Sequence, residues 1–235
     1  MNLILLLSED FIASHRVKLH GRRRDHILAV HQPDIGTSLA VGLINGDMGR
    51  GTVTAVDGQA IEMTVDFDSP PPPPLPVTLI VALPRPKMLK RILQTIAAMG
   101  VKSLYLLNSY RVEKSYWQSP VLDRKSIQEN LILGLEQAKD TRLPQVELRK
   151  RFKPFVEDEL PALIHRSRAL VAHPNRGSLC PLRVREPITL AVGPEGGFIQ
   201  YEVDKLIDCG FEAVHLGRRI LRVETAIPAL LAKLF

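Results

Sequence analysis

The chain has 235 residues, of which 45% are hydrophobic and 24% are charged, and its formal net charge is +6 at pH 7. This composition is typical of a globular protein with a buried core, and it excludes disordered and collagen-like chains. The positive charge favours a polyanionic partner, although many basic proteins bind no nucleic acid. An apolar run near the start, Leu3 to Leu7, is too short for a membrane span or a signal-peptide core, so it predicts a β-strand.

The cysteines and the apolar runs predict the cellular compartment. Cys180 and Cys209 have no metal-ligand spacing, and we expect free thiols in a reducing cytosol. No segment reads as a membrane span. We therefore expect a cytoplasmic protein that binds neither a membrane nor a metal.

The first seventy residues read as short β-strands. Apolar side chains alternate along 39–43 and 61–67, and Asp57-Gly58 between them is a strong hairpin signal. A helical turn is expected around Arg24 to Val30. Several short antiparallel strands of this kind suit a small barrel.

The same region carries a cluster of basic side chains. Its members are Arg16, Lys18, His20, Arg22, Arg23, Arg24 and His26. One interpretation is a solvated charged face; the other is a surface that follows the phosphates of RNA. Because aromatic side chains are not interleaved here, bound RNA would be contacted through its shape and phosphates rather than through splayed bases.

A run of five prolines, Pro70 to Pro74, separates two differently patterned halves. Proline fixes φ and cannot donate to a sheet, so the run predicts a stiff, extended spacer. The sequence therefore predicts a first domain over 1–69, a linker over 70–76 and a second domain over 77–235.

After the linker, strands alternate with helices. The predicted strands are Val77–Leu83, Val101–Leu107, Val146–Leu148, Ala169–Ala172 and Ile188–Val192. Helices are predicted from Leu89 to Met99, with Gly100 as the stop, over Val121–Lys139, and over Val223–Phe235 at the end of the chain. This alternation predicts an α/β domain with a mostly parallel sheet.

Two glycine-bearing motifs stand out near the end of the chain. Gly193-Pro194-Glu195-Gly196-Gly197-Phe198 and the segment from Leu216 to Ala226 each have the form strand, turn, helix. At the ends of neighbouring parallel strands they would build one pocket. Phosphate binding is a poor interpretation, because no Lys-Ser/Thr pair follows and Glu195 would repel a pyrophosphate. A ligand without phosphates, such as S-adenosylmethionine, fits better, although glycines in turns can also be purely structural.

These two motifs resemble the signature pair of the SPOUT methyltransferases. More narrowly, they resemble the family that methylates N3 of a uridine in small-subunit (16S) ribosomal RNA. The similarity extends loosely over nearly the whole chain, through His26, Gly46-Asp47, the proline run and His173-Pro174. It implies a PUA-like β-barrel followed by a SPOUT α/β domain with a trefoil knot. It also implies a homodimer, S-adenosylmethionine as cofactor, and ribosomal RNA or the small ribosomal subunit as partner.

The resemblance further implies which residues hold the cofactor. S-adenosylmethionine would lie among three loops and the start of the following helix, read largely by backbone groups. Carried over by position, these residues are Val171, His173 and Pro174; Gly193, Pro194, Glu195, Gly196 and Gly197; Leu216, Gly217, Ile220 and Leu221; Thr225 and Ala226.

The chemistry suggests candidates for catalysis and RNA binding. Uracil N3 must lose a proton, which requires a base or cationic groups that stabilise the uracil anion. Arg222 is the first candidate for the cationic role and Arg219 the second, while Glu195 and Glu224 are candidate bases. Predicted RNA contacts are Arg16, Lys18, Arg22, Arg23, Arg24 and Arg219.

Several structural alternatives remain open at these positions. Arg222 and Glu224 could pair with one another or cap the helix. Glu195 could bond only the amides of its own turn. The chain also departs from the family pattern at Thr95, Ala98 and Asp140, near the expected substrate side, and Pro228 is expected to interrupt the last helix. A divergent relative with another RNA substrate and a non-catalytic RNA-binding protein on the same scaffold are the alternative functions.

Overall fold

The computed structural model describes residues 2–235, which fold into two compact units. The first unit comprises the described residues up to Pro73 and Leu131–Leu143, and the second comprises Pro74–Asn130 and Pro144–Phe235. The segment 131–143 lies beyond the proline run, yet it belongs to the first unit. The chain therefore leaves the first unit at the prolines and returns to it once.

A six-stranded sheet forms the first unit, in the order β1-β4-β5-β6-β3-β2. The strands are β1 Ile4–Leu6, β2 Phe11–Ala13, β3 Arg16–Leu19, β4 Ser38–Leu43, β5 Met48–Val56 and β6 Ile61–Ser69. β1 runs parallel to β4, and every other pair is antiparallel. A 3₁₀ turn over Ser8–Asp10 follows β1, and helix α1, Gly21–His31, joins β3 to β4.

The core of this unit follows from the alternation along its strands. In β6, Ile61, Met63 and Val65 are buried, whereas Thr64 and Asp66, which follow Met63 and Val65, are exposed. Side chains on one face of a strand point the same way, so this face packs against the rest of the core. The predicted strands at the start of the chain, over 39–43 and over 61–67 are confirmed.

Basic side chains of the first unit are paired with carboxylates. The ion pairs are Arg16–Glu62, Lys18–Glu62, Arg22–Glu136, Arg23–Asp10 and Arg24–Asp25, with nitrogen–oxygen distances from 2.6 to 3.2 Å. The sequence predicted that all five basic residues contact RNA. Their charges are thus partly compensated within the unit, and their contact with RNA stays a prediction.

Arg23 makes the most buried of these pairs. Its side chain is 16% exposed and that of Asp10 is 7% exposed. The two guanidinium nitrogens donate to the two carboxylate oxygens over 2.6 and 2.7 Å, and Nη1 also donates to the Leu5 carbonyl over 2.7 Å. Asp10 Oδ2 accepts the Leu7 amide as well, over 2.7 Å. Arg23 therefore ties the end of β1 to α1, which is a structural role.

The second unit contains a seven-stranded sheet in the order β11-β13-β10-β12-β7-β8-β9, and all its pairs are parallel. Its strands are β7 Val77–Ala82, β8 Ser103–Leu107, β9 Gln145–Arg149, β10 Arg168–Ala172, β11 Ser178–Leu179, β12 Ile188–Val192 and β13 Glu212–His215. The remaining α-helices are α2 Pro86–Ala98, α3 Arg124–Ala138, α4 Phe152–Pro154, α5 Leu160–Ile164, α6 Gln200–Asp208 and α7 Val223–Leu234. The part of α3 from Leu131 onwards belongs to the first unit. Two 3₁₀ turns, Lys114–Gln118 and Pro120–Leu122, precede α3, and a π-helical turn, Phe155–Glu159, joins α4 to α5. The parallel sheet predicted for this half is confirmed.

Proline and glycine mark the start and the end of α2, the glycine as the sequence predicted, but the proline in α7 does not break that helix. α2 begins with Pro86 in its first turn and ends just before Gly100, whose φ of +82° suits glycine. The interruption expected at Pro228 is wrong, because α7 continues through that residue. The helix buries Ile227, Leu230 and Leu231 almost completely, and this packing compensates for the hydrogen bond that the proline cannot make.

Other sequence-level expectations concern the thiols and the helix lengths. Cys180 and Cys209 are free thiols, as predicted. None of the helices within residues 2–235 is both long and apolar enough to cross a membrane. The short helices over 152–164 were not predicted, because Pro154 and Pro161 break the local helix pattern there.

Candidate functional site

Three loops of the second unit enclose a cavity of about 360 Å³. They follow β10, β12 and β13, and β10 lies between the other two strands in the sheet. Because these strands are parallel, their carboxyl ends meet at one edge, which is where α/β folds bind ligands. The two glycine motifs thus lie on one cavity, together with the loop that begins at His173. The prediction that the strands before the two motifs are neighbours is wrong, because β10 lies between β12 and β13.

Most residues assigned to cofactor binding line this cavity. Those that do are His173, Pro174, Gly193, Pro194, Glu195, Gly196, Gly197, Leu216, Gly217, Ile220, Leu221 and Ala226. Val171 and Thr225 are not in the lining: Val171 is fully buried within β10, and Thr225 is exposed in the first turn of α7. Five of these twelve lining residues are glycine or alanine: Gly193, Gly196, Gly197, Gly217 and Ala226.

The inner wall of the cavity is apolar, and the sequence analysis did not assign it. It is built by Ala172, Val192, Phe198, Val214, Val223 and Leu230. Phe198 and Val223 belong to the two glycine motifs, whereas the other residues look like ordinary strand and helix core positions in the sequence, and only the fold reveals that they face a cavity. An apolar wall with a few polar groups is typical of small-molecule sites.

The first glycine turn is closed by its own backbone. Gly197 has a φ of +72°, and its amide donates to the Pro194 carbonyl over 2.7 Å. A Cβ at Gly193 would lie 2.7 Å from the Phe198 nitrogen, which is closer than real Cβ contacts. Glycine is thus required at position 193 by the width of the turn rather than by its φ.

Glu195 lines the cavity and binds a neighbouring element. Its Oε1 accepts the backbone amide of Arg85 over 2.9 Å, at the residue that precedes α2. The alternative in which Glu195 bonds only amides of its own turn is therefore wrong. Its carboxylate fixes the first glycine turn against the start of α2, and its role as a base stays a prediction.

Arg222 and Glu224 lie at the start of α7, outside the lining of the cavity. The Arg222 carbonyl accepts the amides of Thr225 and Ala226 over 2.9 and 2.7 Å, while its side chain is exposed. Within residues 2–235 the two side chains form no ion pair with one another, so that alternative is not observed. Of the two arginines considered for catalysis, Arg219 is the one that lines the cavity.

Two histidines in the lining accept backbone amides. His173 Nδ1 accepts the Asn175 amide over 3.3 Å, and His215 Nδ1 accepts the Gly217 amide over 3.1 Å. An Nδ1 atom that accepts a hydrogen bond carries no proton, so this geometry fits a neutral His173 ring with its proton on Nε2. Burial lowers the pKa of His173 from its ordinary value of 6.5, and the nearby Arg176 charge lowers it further.

This arrangement predicts that protonation of His173 destabilises the protein. Because its folded-state pKa is below the ordinary 6.5, the stabilising contribution is complete above pH 6.5 and is lost as the pH falls through the lowered pKa. We expect the melting temperature of the wild type to fall more than that of His173→Gln between about pH 7 and about pH 5. Thermal melts at several pH values measure this difference.

The exposed His165 supplies a matched control for this measurement. His165→Gln should keep the pH dependence of the wild type, because that ring lies outside the cavity lining. Parallel curves for the wild type and His173→Gln would contradict the assignment of a half-buried, neutral imidazole at position 173.

Arg111 is a lining residue that the sequence analysis missed. Its Nη1 donates to the Gly196 carbonyl, and a Cβ at Gly196 would lie 2.9 Å from Arg111 Cδ. The arginine stem thus lies directly against the glycine turn. The sequence does offer a weak indication of this role. Asn108-Ser109-Tyr110-Arg111 follows the carboxyl end of the parallel strand β8, and ligands bind at such ends.

Within residues 2–235 there is no group of three or more His, Cys, Asp or Glu side chains that could hold a metal ion.

Comparison with known proteins adds a family and a fold. The family model described as RNA methyltransferase domain matches residues 71–234. The chain is similar to ribosomal RNA small subunit methyltransferase E of Treponema pallidum, with 28% identity over 232 residues that cover 96% of this chain and 87% of the relative.

Two solved structures are similar through nearly the whole chain. One is a ribosomal RNA small subunit methyltransferase E from Neisseria gonorrhoeae bound to S-adenosyl methionine, with a TM-score of 0.73, 24% identity, and coverage of 99% of this chain and 95% of that one. The other is a Legionella pneumophila protein in complex with S-adenosylmethionine, with a TM-score of 0.74, 20% identity, and coverage of 97% and 95%. These likenesses confirm the predicted fold class, a PUA-like unit followed by a SPOUT-type α/β unit.

Proposed function

The chain belongs to the RNA methyltransferase domain family, and on that premise we propose that it methylates N3 of a uridine in small-subunit ribosomal RNA. S-adenosylmethionine is the proposed methyl donor. The observation that carries the proposal is the cavity on which both glycine motifs and the His173 loop meet. The names of the relatives from Treponema pallidum and Neisseria gonorrhoeae support the choice of RNA.

The residues of the cavity fit this donor. A volume of about 360 Å³ lies in the range of small-ligand sites, roughly 300–1,000 Å³. The apolar wall of Val192, Phe198 and Val214 suits an adenine ring, and the peptide groups of the glycine turns can bond its polar edge. The carboxylate of Glu195 suits a cationic ligand rather than a phosphate. When bound, S-adenosylmethionine supplies a methyl group on a sulfonium, which is an electrophile for in-line displacement.

The chain itself must prepare the uracil. N3 lies on the Watson–Crick edge, so the target base has to be unpaired or extruded before it reaches the cavity. Loss of the N3 proton leaves negative charge on the uracil carbonyl oxygens, which a guanidinium stabilises. Two arginines line the cavity, and Arg111 already donates to the Gly196 carbonyl, so Arg219 is the cation that we assign to this role. Glu195 is the carboxylate of the lining that can accept the proton.

A homodimer is part of the proposal. Leu179, Leu182 and Ile220 of the second unit are 61%, 69% and 76% exposed, and apolar side chains of this size are often covered in an assembly. The dimer would bind ribosomal RNA or the small ribosomal subunit. The molar mass in solution, measured by light scattering, tests the dimer.

Mass mapping of modified nucleosides tests the function. Ribosomal RNA from a deletion strain should lack one N3-methyluridine, and restoring the gene should restore it. If the modification is unchanged while the protein binds S-adenosylmethionine in a calorimeter, the substrate is another RNA. If no S-adenosylmethionine binds, the chain is an RNA-binding protein on the same scaffold.

Substitution of Arg219 tests the proposed electrostatic role. We expect Arg219→Ala to lower kcat about tenfold, the effect of losing one charge-assisted hydrogen bond. The affinity for S-adenosylmethionine should stay near that of the wild type, because the substitution keeps the glycines and the backbone groups of both motifs. Single-turnover methylation and calorimetry measure the two quantities separately.

Arg222→Ala is the direct comparison, since Arg222 was the first candidate in the sequence. If Arg222→Ala lowers kcat about tenfold or more while Arg219→Ala keeps the kcat of the wild type, Arg222 is the stabilising cation. Unchanged turnover in Arg222→Ala would rule out that role.

A further inference from the structure

A loop at the rim of the cavity presents two neighbouring side chains, Tyr110 and Arg111. The loop follows β8 and leads to the 3₁₀ turn over Lys114–Gln118. Arg111 lines the cavity, and Tyr110 is next to it in the chain. Neither residue belongs to the glycine motifs, and the proposed chemistry does not require either of them.

Glu202 fixes the backbone of this loop. This carboxylate is only 3% exposed, although it lies in the first turn of α6. Its Oε1 accepts the Tyr110 amide over 2.6 Å, and its Oε2 accepts the Ile199 amide over 3.0 Å. A buried carboxylate with both oxygens bonded holds its partners firmly. The loop is therefore attached to the helix that follows the first glycine turn.

The charge of Arg111 is not compensated by a carboxylate. Its guanidinium donates once, to the Gly196 carbonyl, and within residues 2–235 it forms no ion pair. A guanidinium has five N–H donors, so most of its donors remain available. The basic side chains of the first unit differ in this respect, because Arg16, Lys18 and Arg22 each pair with a glutamate.

Tyr110 exposes its ring to solvent. At 79% it is the most exposed of the large hydrophobic side chains described in residues 2–235. Aromatic residues make up only 5% of the chain, so an exposed one is unusual here. Glu202 holds the backbone of Tyr110, while the Tyr110 ring is not packed against other residues. A rigidly mounted, exposed aromatic ring beside an uncompensated cation is the combination that binds single-stranded nucleic acid.

We propose that Tyr110 and Arg111 bind the RNA strand beside the target base, Tyr110 by stacking on a base and Arg111 by pairing with a phosphate. The inference rests on the proposed function and assigns the RNA contact nearest the cavity to the second unit. This role also gives a reason for the attachment of the loop to the first glycine turn. An RNA strand bound by Tyr110 and Arg111 would be held at a fixed distance from the cavity.

Binding of a short, single-stranded, uridine-containing RNA oligonucleotide tests the proposal. We expect Tyr110→Ala to weaken binding about tenfold, the effect of losing one stacked base, and Tyr110→Phe to retain it. Arg111→Gln keeps a donor for the Gly196 carbonyl but removes the charge. It should reduce the slope of log affinity against log salt by about 0.7, the value for one phosphate of a single strand.

Two matched controls lie elsewhere on the second unit. Tyr201→Ala removes another exposed tyrosine, and Arg166→Gln removes an exposed arginine just before β10, at the opposite end of the strand from the cavity. Both should bind the oligonucleotide as the wild type does. Calorimetry with S-adenosylmethionine on every variant reports the cofactor site independently.

The outcomes separate this inference from the proposed function. If the wild type binds no S-adenosylmethionine, the proposed function fails, whatever Tyr110 does. If the wild type binds both ligands and Tyr110→Ala and Arg111→Gln match their controls, the inference is overturned and the function stands. If Arg111→Gln weakens only S-adenosylmethionine binding, Arg111 merely positions the glycine turn, which also overturns the inference.

Discussion

Replacing Gly193 by alanine is expected to weaken S-adenosylmethionine binding about a hundredfold, because an added methyl group costs up to about 3 kcal/mol where packing is tight. The new Cβ would lie 2.7 Å from the Phe198 nitrogen, and 3.1 and 3.2 Å from the Gly197 carbonyl carbon and Cα. All three are backbone atoms, and they cannot retreat easily. Gly197 is bonded to the Pro194 carbonyl, and the Phe198 ring is buried at 4% exposure. The turn must therefore open, which displaces the wall of the cavity.

Calorimetric titration with S-adenosylmethionine measures this effect, and far-UV circular dichroism checks that the variant is folded. Gly58→Ala is the matched control, since no atom lies within 4 Å of a Cβ at that position. It should bind the cofactor with the affinity of the wild type. A Gly193→Ala protein that is folded and binds normally would show that the first glycine turn does not shape the cofactor site.

Much of the fold was predictable because its signals are local. Alternation along 61–67 indicated a strand, and the helical spacing from Leu89 to Ile96 indicated a helix, since burial on one face selects for these periods. The glycine motifs were recognisable for the same reason: strand, turn and helix follow one another within a few residues. That the two motifs share a cavity followed from one general rule about parallel sheets.

The missed features depend on contacts between residues far apart in the chain. Arg111 and Gly196 are 85 positions apart, and no short pattern connects them. The partner of Arg22 is Glu136, which is 114 positions away. A charge run in a sequence shows the cations but not the carboxylates that fold against them. For this reason the run near Arg22 resembled a nucleic-acid surface more strongly than its structure supports.

Cations that form ion pairs and cations that form none should contribute differently to the affinity for RNA. Guanidiniums that already pair with carboxylates release fewer counterions when they meet phosphate, so they add less to affinity. Around the cavity, Arg111, Arg219 and Arg222 form no ion pairs within residues 2–235. These three arginines should therefore add more to the electrostatic attraction of RNA than the paired cations Arg16, Arg22 and Arg23 do.

Removing the carboxylate of Asp10 is expected to lower the free energy of unfolding by about 3–5 kcal/mol, which is typical of breaking a buried ion pair. Asp10→Ala leaves the guanidinium of Arg23, only 16% exposed, without its partner. It also removes the acceptor of the Leu7 amide. Hydrogen exchange of the strands of the first unit, followed by mass spectrometry, measures the loss in the intact chain.

Two further variants test whether Arg23 has a structural role. Arg16→Ala removes an exposed cation, 54% accessible, and should change stability little, as surface ion pairs usually do. The double variant Asp10→Leu with Arg23→Met should recover most of the loss, because an apolar pair of similar volume can replace a buried ion pair. If Asp10→Ala costs no more than Arg16→Ala, the pair does not hold β1 to α1. Arg23 would then be as free to meet RNA as the charge run in the sequence first suggested.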